Sequence, residues 1–190
     1  MEAYGHRMAE LLRKLDPRIG EGRCLIGGAS FGGIVAMHLA GSLNPRAVVL
    51  IGSIEDPAQL PRYIRLARPL KRLVPLLPVK LMQRFAKPLT SGWARRAAPH
   101  LSGLASQFRS SDPKLFRWSV TALLQWKQRP NVSCPVRRVH GARDRVLPVG
   151  NFSVDRLIDN GGHVISLTHG ADVNRFLRSV QSEMDSWAQK

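Results

Sequence analysis

Ser30 lies in Gly28-Ala29-Ser30-Phe31-Gly32-Gly33. An apolar run, Cys24-Leu25-Ile26-Gly27, precedes it, and a helical pattern, Ile34-Val35-Ala36-Met37-His38-Leu39-Ala40, follows. Strand, abrupt turn and helix with a serine at the turn is the layout of a nucleophile elbow, Gly-x-Ser-x-Gly. The chemistry open to such a serine is attack on an electrophilic carbon. A hydroxyl is a weak nucleophile until a base takes its proton and a third group orients that base. Candidates for both roles lie downstream. Asp144 follows His140-Gly141, and His163 follows Gly161-Gly162. Asp56, after the run Ala47–Ile51, is a second candidate acid, and His169 a second candidate base. His140 and His100 read as structural or exposed. Asp172 reads as serving the N-terminus of the last helix.

The elbow makes demands on the elements around it. Gly28, Gly32 and Gly33 carry no Cβ, so strand and helix can pass close together while the serine holds a strained backbone. The Phe31 N–H sits at the helix N-terminus, where the dipole favours developing negative charge. Residues 2–15 read as a helix, with Met8, Leu11, Leu12 and Leu15 at helical spacing and Asp16-Pro17 and Gly20 ending it. The elbow unit runs from Arg23 to about Leu43, and Asn44-Pro45 breaks its helix. Ala47–Ile51, all apolar, reads as a strand buried on both faces, as parallel strands are. Cys134 to Gly141 reads as another strand, 142–148 as a loop, and Val154–Ile158 as a weak strand. Asn160-Gly161-Gly162-His163 is a turn. A helix from about Ala171 to Trp187 turns Val173, Phe176, Leu177, Val180, Met184 and Trp187 to one face. The order predicts an α/β fold: a mostly parallel sheet flanked by helices. Ser30, Asp144 and His163 then stand at strand C-terminal ends, where such sheets place their sites.

At 190 residues the chain is one domain by length. Its 29 lysines and arginines against 13 acidic residues give a net charge of +16. Residues 57–111 carry prolines at 57, 61, 69, 75, 78, 88 and 99, and no acidic residue separates Asp56 from Asp112. This predicts short basic amphipathic helices broken by proline. Asp112 and Pro113 open a further helix as N-cap and first residue. The charge allows a nucleic-acid, anionic-membrane or anionic-substrate partner, or a solvated basic surface. No nucleic-acid-binding pattern accompanies it, which sets nucleic acid aside. Cys24 and Cys134 read as two buried thiols, matching neither a disulfide framework nor a zinc site. No signal sequence opens the chain and no apolar run is long enough to span a bilayer, so the expected location is the cytoplasm.

His140-Gly141-Ala142-Arg143-Asp144-Arg145-Val146-Leu147-Pro148 resembles the acid loop of the α/β-hydrolase-fold family. Gly161-Gly162-His163, with Leu167-Thr168-His169 and the helix after it, resembles that family's histidine loop and closing helix. With the elbow, the resemblance covers about residues 1–56 and 112–190, taken as the C-terminal part of the core. It implies a serine hydrolase of ester, thioester or amide bonds. Ser30 would be the nucleophile, His163 the base, Asp144 the acid (favoured over Asp56 by its flanking motif) and Phe31 an oxyanion-hole donor, with no metal or organic cofactor. The insertion at 57–111 is implied to be a helical cap. Its leucines would line a pocket for a hydrophobic or lipid-like acyl substrate, and its arginines would face outward, an anionic substrate group or an anionic membrane surface. Family members usually carry several strands before the elbow and an upstream His-Gly loop with a second oxyanion donor. This chain starts at the helix before the elbow strand. The expectation is an N-terminally incomplete fold whose elbow strand exposes an edge for pairing with another chain. A catalytically impaired remnant or interaction module is the alternative to an active enzyme.

Overall fold

A computed structural model describes residues 1–19, 22–97, 99–150 and 152–187; Gly20 and the side chains of His100 and Trp187 lie outside the described residues. The chain forms two compact units, one of Met1–Gln59 with Lys127–Lys190 and one of Leu60–Trp126.

The first unit is built in the order α1 (Glu2–Leu15), β1 (Leu25–Ala29), α2 (Phe31–Leu43) and β2 (Ala47–Ile51). Among the described residues its sheet has four parallel strands in the order β1-β2-β3-β4, with β1 and β4 outermost. The apolar run of β2 explains its place inside the sheet, since alternate side chains serve both faces. Ala47 and Val49 join the core formed with Val173, Phe176, Val180 and Met184 of the last helix. Val48 and Leu50 face Ala36, Met37 and Ala40 of α2. α1 lies against α2 so closely that a Cβ on Gly5 would stand 2.9 Å from the His38 carbonyl oxygen.

The second unit holds α3 (Arg62–Leu66), a 3-10 helix over Arg68–Leu76, α4 (Val79–Phe85), a 3-10 turn over Lys87–Thr90, α5 (Gly92–Ala97), α6 (Pro99–Ser110) and α7 (Pro113–Gln125). α7 lies in this unit, where the sequence placed residues from 112 onward with the core. The Arg117 guanidinium donates to the Leu77 carbonyl at 3.0 and 2.7 Å, and Phe116 meets Phe108 edge-on at 4.9 Å between ring centres. Asp112 caps α7 by accepting the Lys114 and Leu115 N–H groups at 2.9 and 2.8 Å. Arg68 and Arg109 are likewise used internally, donating to the Trp126 carbonyl at 3.1 Å and the Thr90 hydroxyl at 2.7 Å.

The chain then supplies β3 (Val136–Gly141), β4 (Arg156–Ile158), α8 (Ile165–Thr168) and α9 (Gly170–Trp187) to the first unit. β4 is two residues shorter than expected: the Arg138 N–H donates to the Asp155 carboxylate at 2.7 Å and not to a backbone carbonyl, and pairing with β3 begins at Arg156. Cys24 and Cys134 are half-buried, not fully enclosed. No helix among the described residues is long and apolar enough to cross a membrane.

Candidate active site

β1 delivers Ser30 to the N-terminus of α2 in a strained backbone, φ 51° and ψ −124°. A non-glycine residue held there costs about 1–3 kcal/mol, which the surroundings must hold in place. Three hydrogen bonds do so. The Ser30 N–H donates to the Ile51 carbonyl at 3.0 Å, and its own carbonyl accepts the Gly33 N–H at 3.0 Å and the Ser53 hydroxyl at 2.6 Å. Gly28 shows why the turn is so tight, since a Cβ there would lie 2.3 Å from the Gly32 carbonyl carbon and oxygen. Gly32 differs from the expectation: a Cβ there meets nothing within 4 Å.

Asp144 and His163 come from the loops after β3 and β4. Those loops are locked at Gly141, where a Cβ would stand 2.4 Å from both the Gly161 and Gly162 carbonyl oxygens. Backbone bonds from Ala142 to Ile158 and from Arg143 to Gly161, 2.9 and 2.8 Å, complete the lock. His163 thereby places Nδ1 2.8 Å from Asp144 Oδ2 and Nε2 2.7 Å from Ser30 Oγ. A carboxylate has no proton to give, so Nδ1–H donates to Asp144. Nε2 is then the acceptor for the serine hydroxyl.

Asp144 is almost fully buried, with all its acceptor capacity used. Oδ1 accepts the Val146 and Leu147 N–H groups at 2.8 and 2.9 Å. Oδ2 faces His163 and also His140, whose Nε2 is 3.1 Å away. Burial alone would raise this carboxyl. Hydrogen bonds from His140 and then His163, the His163 charge and the Leu147 N–H reverse that and hold it well below the usual carboxylate range.

His140, expected to be structural or exposed, is buried and braces Asp144. Its ring is fully buried and its Nε2 also lies 2.8 Å from the Leu147 carbonyl. With acceptors on that side, Nε2 carries the proton. Nδ1, buried without a partner, is then a bare acceptor and not an unsatisfied N–H. The available signal was spacing: His140 is the last residue but one of β3, four residues before Asp144. Next to it, Arg138 is buried under the Phe152 ring, 4.6 Å from its centre, and pairs with Glu55 at 3.3 Å.

Of the rival residues, Asp56 accepts the Ala58 N–H at 2.7 Å and is not brought to His163. His169 bonds the neighbouring Thr168 hydroxyl at 2.8 Å and is not brought to Ser30. Asp172 pairs with Arg175 at 3.1 Å in the first turn of α9. Phe31 is the first residue of α2. Among the described residues no group of three or more His, Cys, Asp or Glu side chains could hold a metal ion.

A serine at a strand-to-helix turn, hydrogen-bonded to a histidine and through it to a carboxylate from later strand ends of a parallel sheet, is an arrangement found in α/β-fold hydrolases. The chain belongs to the alpha/beta hydrolase family, whose sequence profile matches residues 2–176. Among solved structures it is similar to a thermophilic esterase from Thermogutta terrifontis, with a TM-score of 0.67 and 17% identity over 96% of this chain and 72% of that one. It is also similar to Est816, described as an N-acyl homoserine lactone degrading enzyme (TM-score 0.60, 19% identity, 92% of this chain and 74% of that one). A third similar structure is the enol-lactonase from Burkholderia xenovorans LB400 (TM-score 0.60, 16% identity, 92% and 73%). At these identities the likeness is one of fold. No curated protein matches the sequence.

Proposed function

We propose that this hydrolase cleaves carboxylic ester bonds, with Ser30 as nucleophile, His163 as general base and Asp144 as the group that orients it. The observation that carries the reading is the continuous hydrogen-bond chain, 2.7 Å from Ser30 to His163 and 2.8 Å from His163 to Asp144. Ser30 Oγ attacks the acyl carbon and its proton passes to His163 Nε2. Asp144, held ionised, stabilises the resulting imidazolium. The Phe31 N–H, at the positive end of α2, supports the oxyanion. His163 then returns the proton to the departing alkoxide, leaving an acyl group on Ser30. Water, deprotonated by the same histidine, releases the acid and restores the hydroxyl. The esterase and lactonases of similar fold act on this bond type, which supports the substrate class. The apolar residues of the Leu60–Trp126 unit, read as a cap, favour a hydrophobic or lipid-like acyl chain.

A fluorophosphonate probe tests the assignment, because it reacts only with an activated serine. Labelling is expected at Ser30, lost in Ser30→Ala, and accompanied by turnover of p-nitrophenyl esters that improves with acyl length. A folded protein left unlabelled beside an active control hydrolase would refute it. The outermost position of β1 supports a second reading, an interaction module that pairs along that strand's edge. It predicts concentration-dependent association in sedimentation velocity, and a monodisperse monomer would remove it.

A further inference from the structure

The Leu60–Trp126 unit exposes an ordered apolar ridge set in positive charge. A 3-10 helix has three residues per turn, so side chains at i and i+3 eclipse one another. Over Arg68–Leu76 this sorts the residues into three rows. One row holds Arg68, Lys71 and Val74, of which Val74 is buried and the other two half-buried. Pro69, Arg72 and Pro75 form an exposed row. The third row is all leucine: Leu70, Leu73 and Leu76 are 56%, 55% and 76% exposed. The elements on either side also expose apolar side chains. Tyr63 and Leu66, one turn apart in α3, are 60% and 79% exposed, and Phe85 at the end of α4 is 74% exposed. Isolated exposed apolar residues need no explanation, but a run of this kind does.

Charge says what covers it. Arg62, Arg65, Arg72, Lys80 and Arg84 are exposed around the ridge, and residues 57–111 contain no carboxylate to neutralise them. A protein partner fitted to the leucines alone would not require this excess. A surface that is apolar within and anionic outside does require it: leucines enter the acyl boundary while arginines and lysines stay at headgroup level. We propose that the segment Arg62–Phe85 is a docking surface for an anionic phospholipid bilayer, lying in the interface without crossing it. The inference does not depend on the hydrolase reading, and Arg68 takes no part because it is used within the unit.

Co-sedimentation of the full chain with phosphatidylcholine vesicles, with and without phosphatidylglycerol, tests it. Binding is expected only to the anionic vesicles and should weaken as salt rises. Reversal of Arg62, Arg65, Arg72 and Lys80 to glutamate should lower the partition at least about a hundredfold. Leu73→Asn with Leu76→Asn should lower it about tenfold, through lost apolar burial alone. Ser30→Ala should bind like the parent, which separates this result from any outcome on catalysis. Equal binding to neutral and anionic vesicles, or no binding at low salt, would overturn the proposal without any variant. So would charge-dependent binding indifferent to the two leucines, which marks a general polyanion contact. Tighter binding to RNA than to vesicles, abolished by the same reversals, would replace it with a nucleic-acid surface.

Discussion

Replacing His140 by leucine tests how the acid of the site is held. The His140 Nε2–H is shared between Asp144 Oδ2 at 3.1 Å and the Leu147 carbonyl at 2.8 Å, inside a fully buried pocket. Leucine occupies a similar volume but removes the donor from both. A hydrogen bond to a charged group contributes about 1.5–3 kcal/mol, and a buried acceptor left bare costs about 1–3 kcal/mol. One proton serves both acceptors, so the two effects overlap, and the expected destabilisation at pH 7 is about 2–4 kcal/mol. The pH dependence has a definite sign. The folded Asp144 carboxyl is depressed, so its contribution is present above the unfolded-state value of about 3.9 and is lost as pH falls through the lower folded value. Removing His140 brings the folded value back toward the ordinary one. The part of the His140→Leu deficit that acts through Asp144 is therefore present at neutral pH and narrows below about pH 4, where the variant protonates Asp144 and the parent does not. Urea unfolding across this pH range reads the deficit directly. Ester hydrolysis should show a lower kcat with KM little changed, since the residue acts through Asp144 and His163 and not on substrate. No destabilisation at pH 7, or a deficit that widens below about pH 4, refutes the reasoning.

The elbow gives a paired prediction. Gly28→Ala drives a Cβ to 2.3 Å from the Gly32 backbone and should cost more than about 3 kcal/mol or prevent folding, whereas Gly32→Ala meets open space and should shift the thermal midpoint only slightly. Ser53→Ala removes the 2.6 Å donor to the Ser30 carbonyl. It should cost about 1 kcal/mol in a urea titration and depress kcat by more than that stability loss implies, as the serine backbone relaxes. Asp112→Ala uncaps α7, whose Lys114 and Leu115 N–H groups lose their acceptor. A loss of about 1 kcal/mol is expected, visible as faster amide exchange in the first turn of that helix.

What could be read in advance was what short-range pattern decides. The all-apolar run of Ala47–Ile51 has one sensible place in a parallel sheet, and it is there with both faces buried. The strand, turn and helix around Ser30 follow from glycine placement and periodicity, and the structure adds the positive φ at the serine itself. The site required more. His140 and Arg138 are polar residues in a strand buried on both faces, and nothing local says which polar group each will meet. Their partners, Asp144 and Glu55, arrive through folding. The helix after Asp112 was legible from its cap, but not the side it takes, because the Arg117 bond to Leu77 joins residues 40 apart. The expected β4 starts two residues early because Val154 extends the apolar pattern, while the Arg138 N–H is taken by the Asp155 carboxylate where the ladder would need a backbone carbonyl.

The two-unit arrangement also makes the sheet divisible. A single cut anywhere between Leu60 and Trp126 yields one piece with β1, α2, β2 and Ser30, and another with β3, β4, α9, Asp144 and His163. Their shared border is the parallel ladder that pairs Val48 with Val136 through Ile51 with Val139. Neither piece alone can bring Ser30, His163 and Asp144 together. The chain is therefore laid out as a split reporter: two fragments that zip along one buried strand would restore the Ser30–His163 contact. Probe labelling of Ser30 would then count how many had found each other.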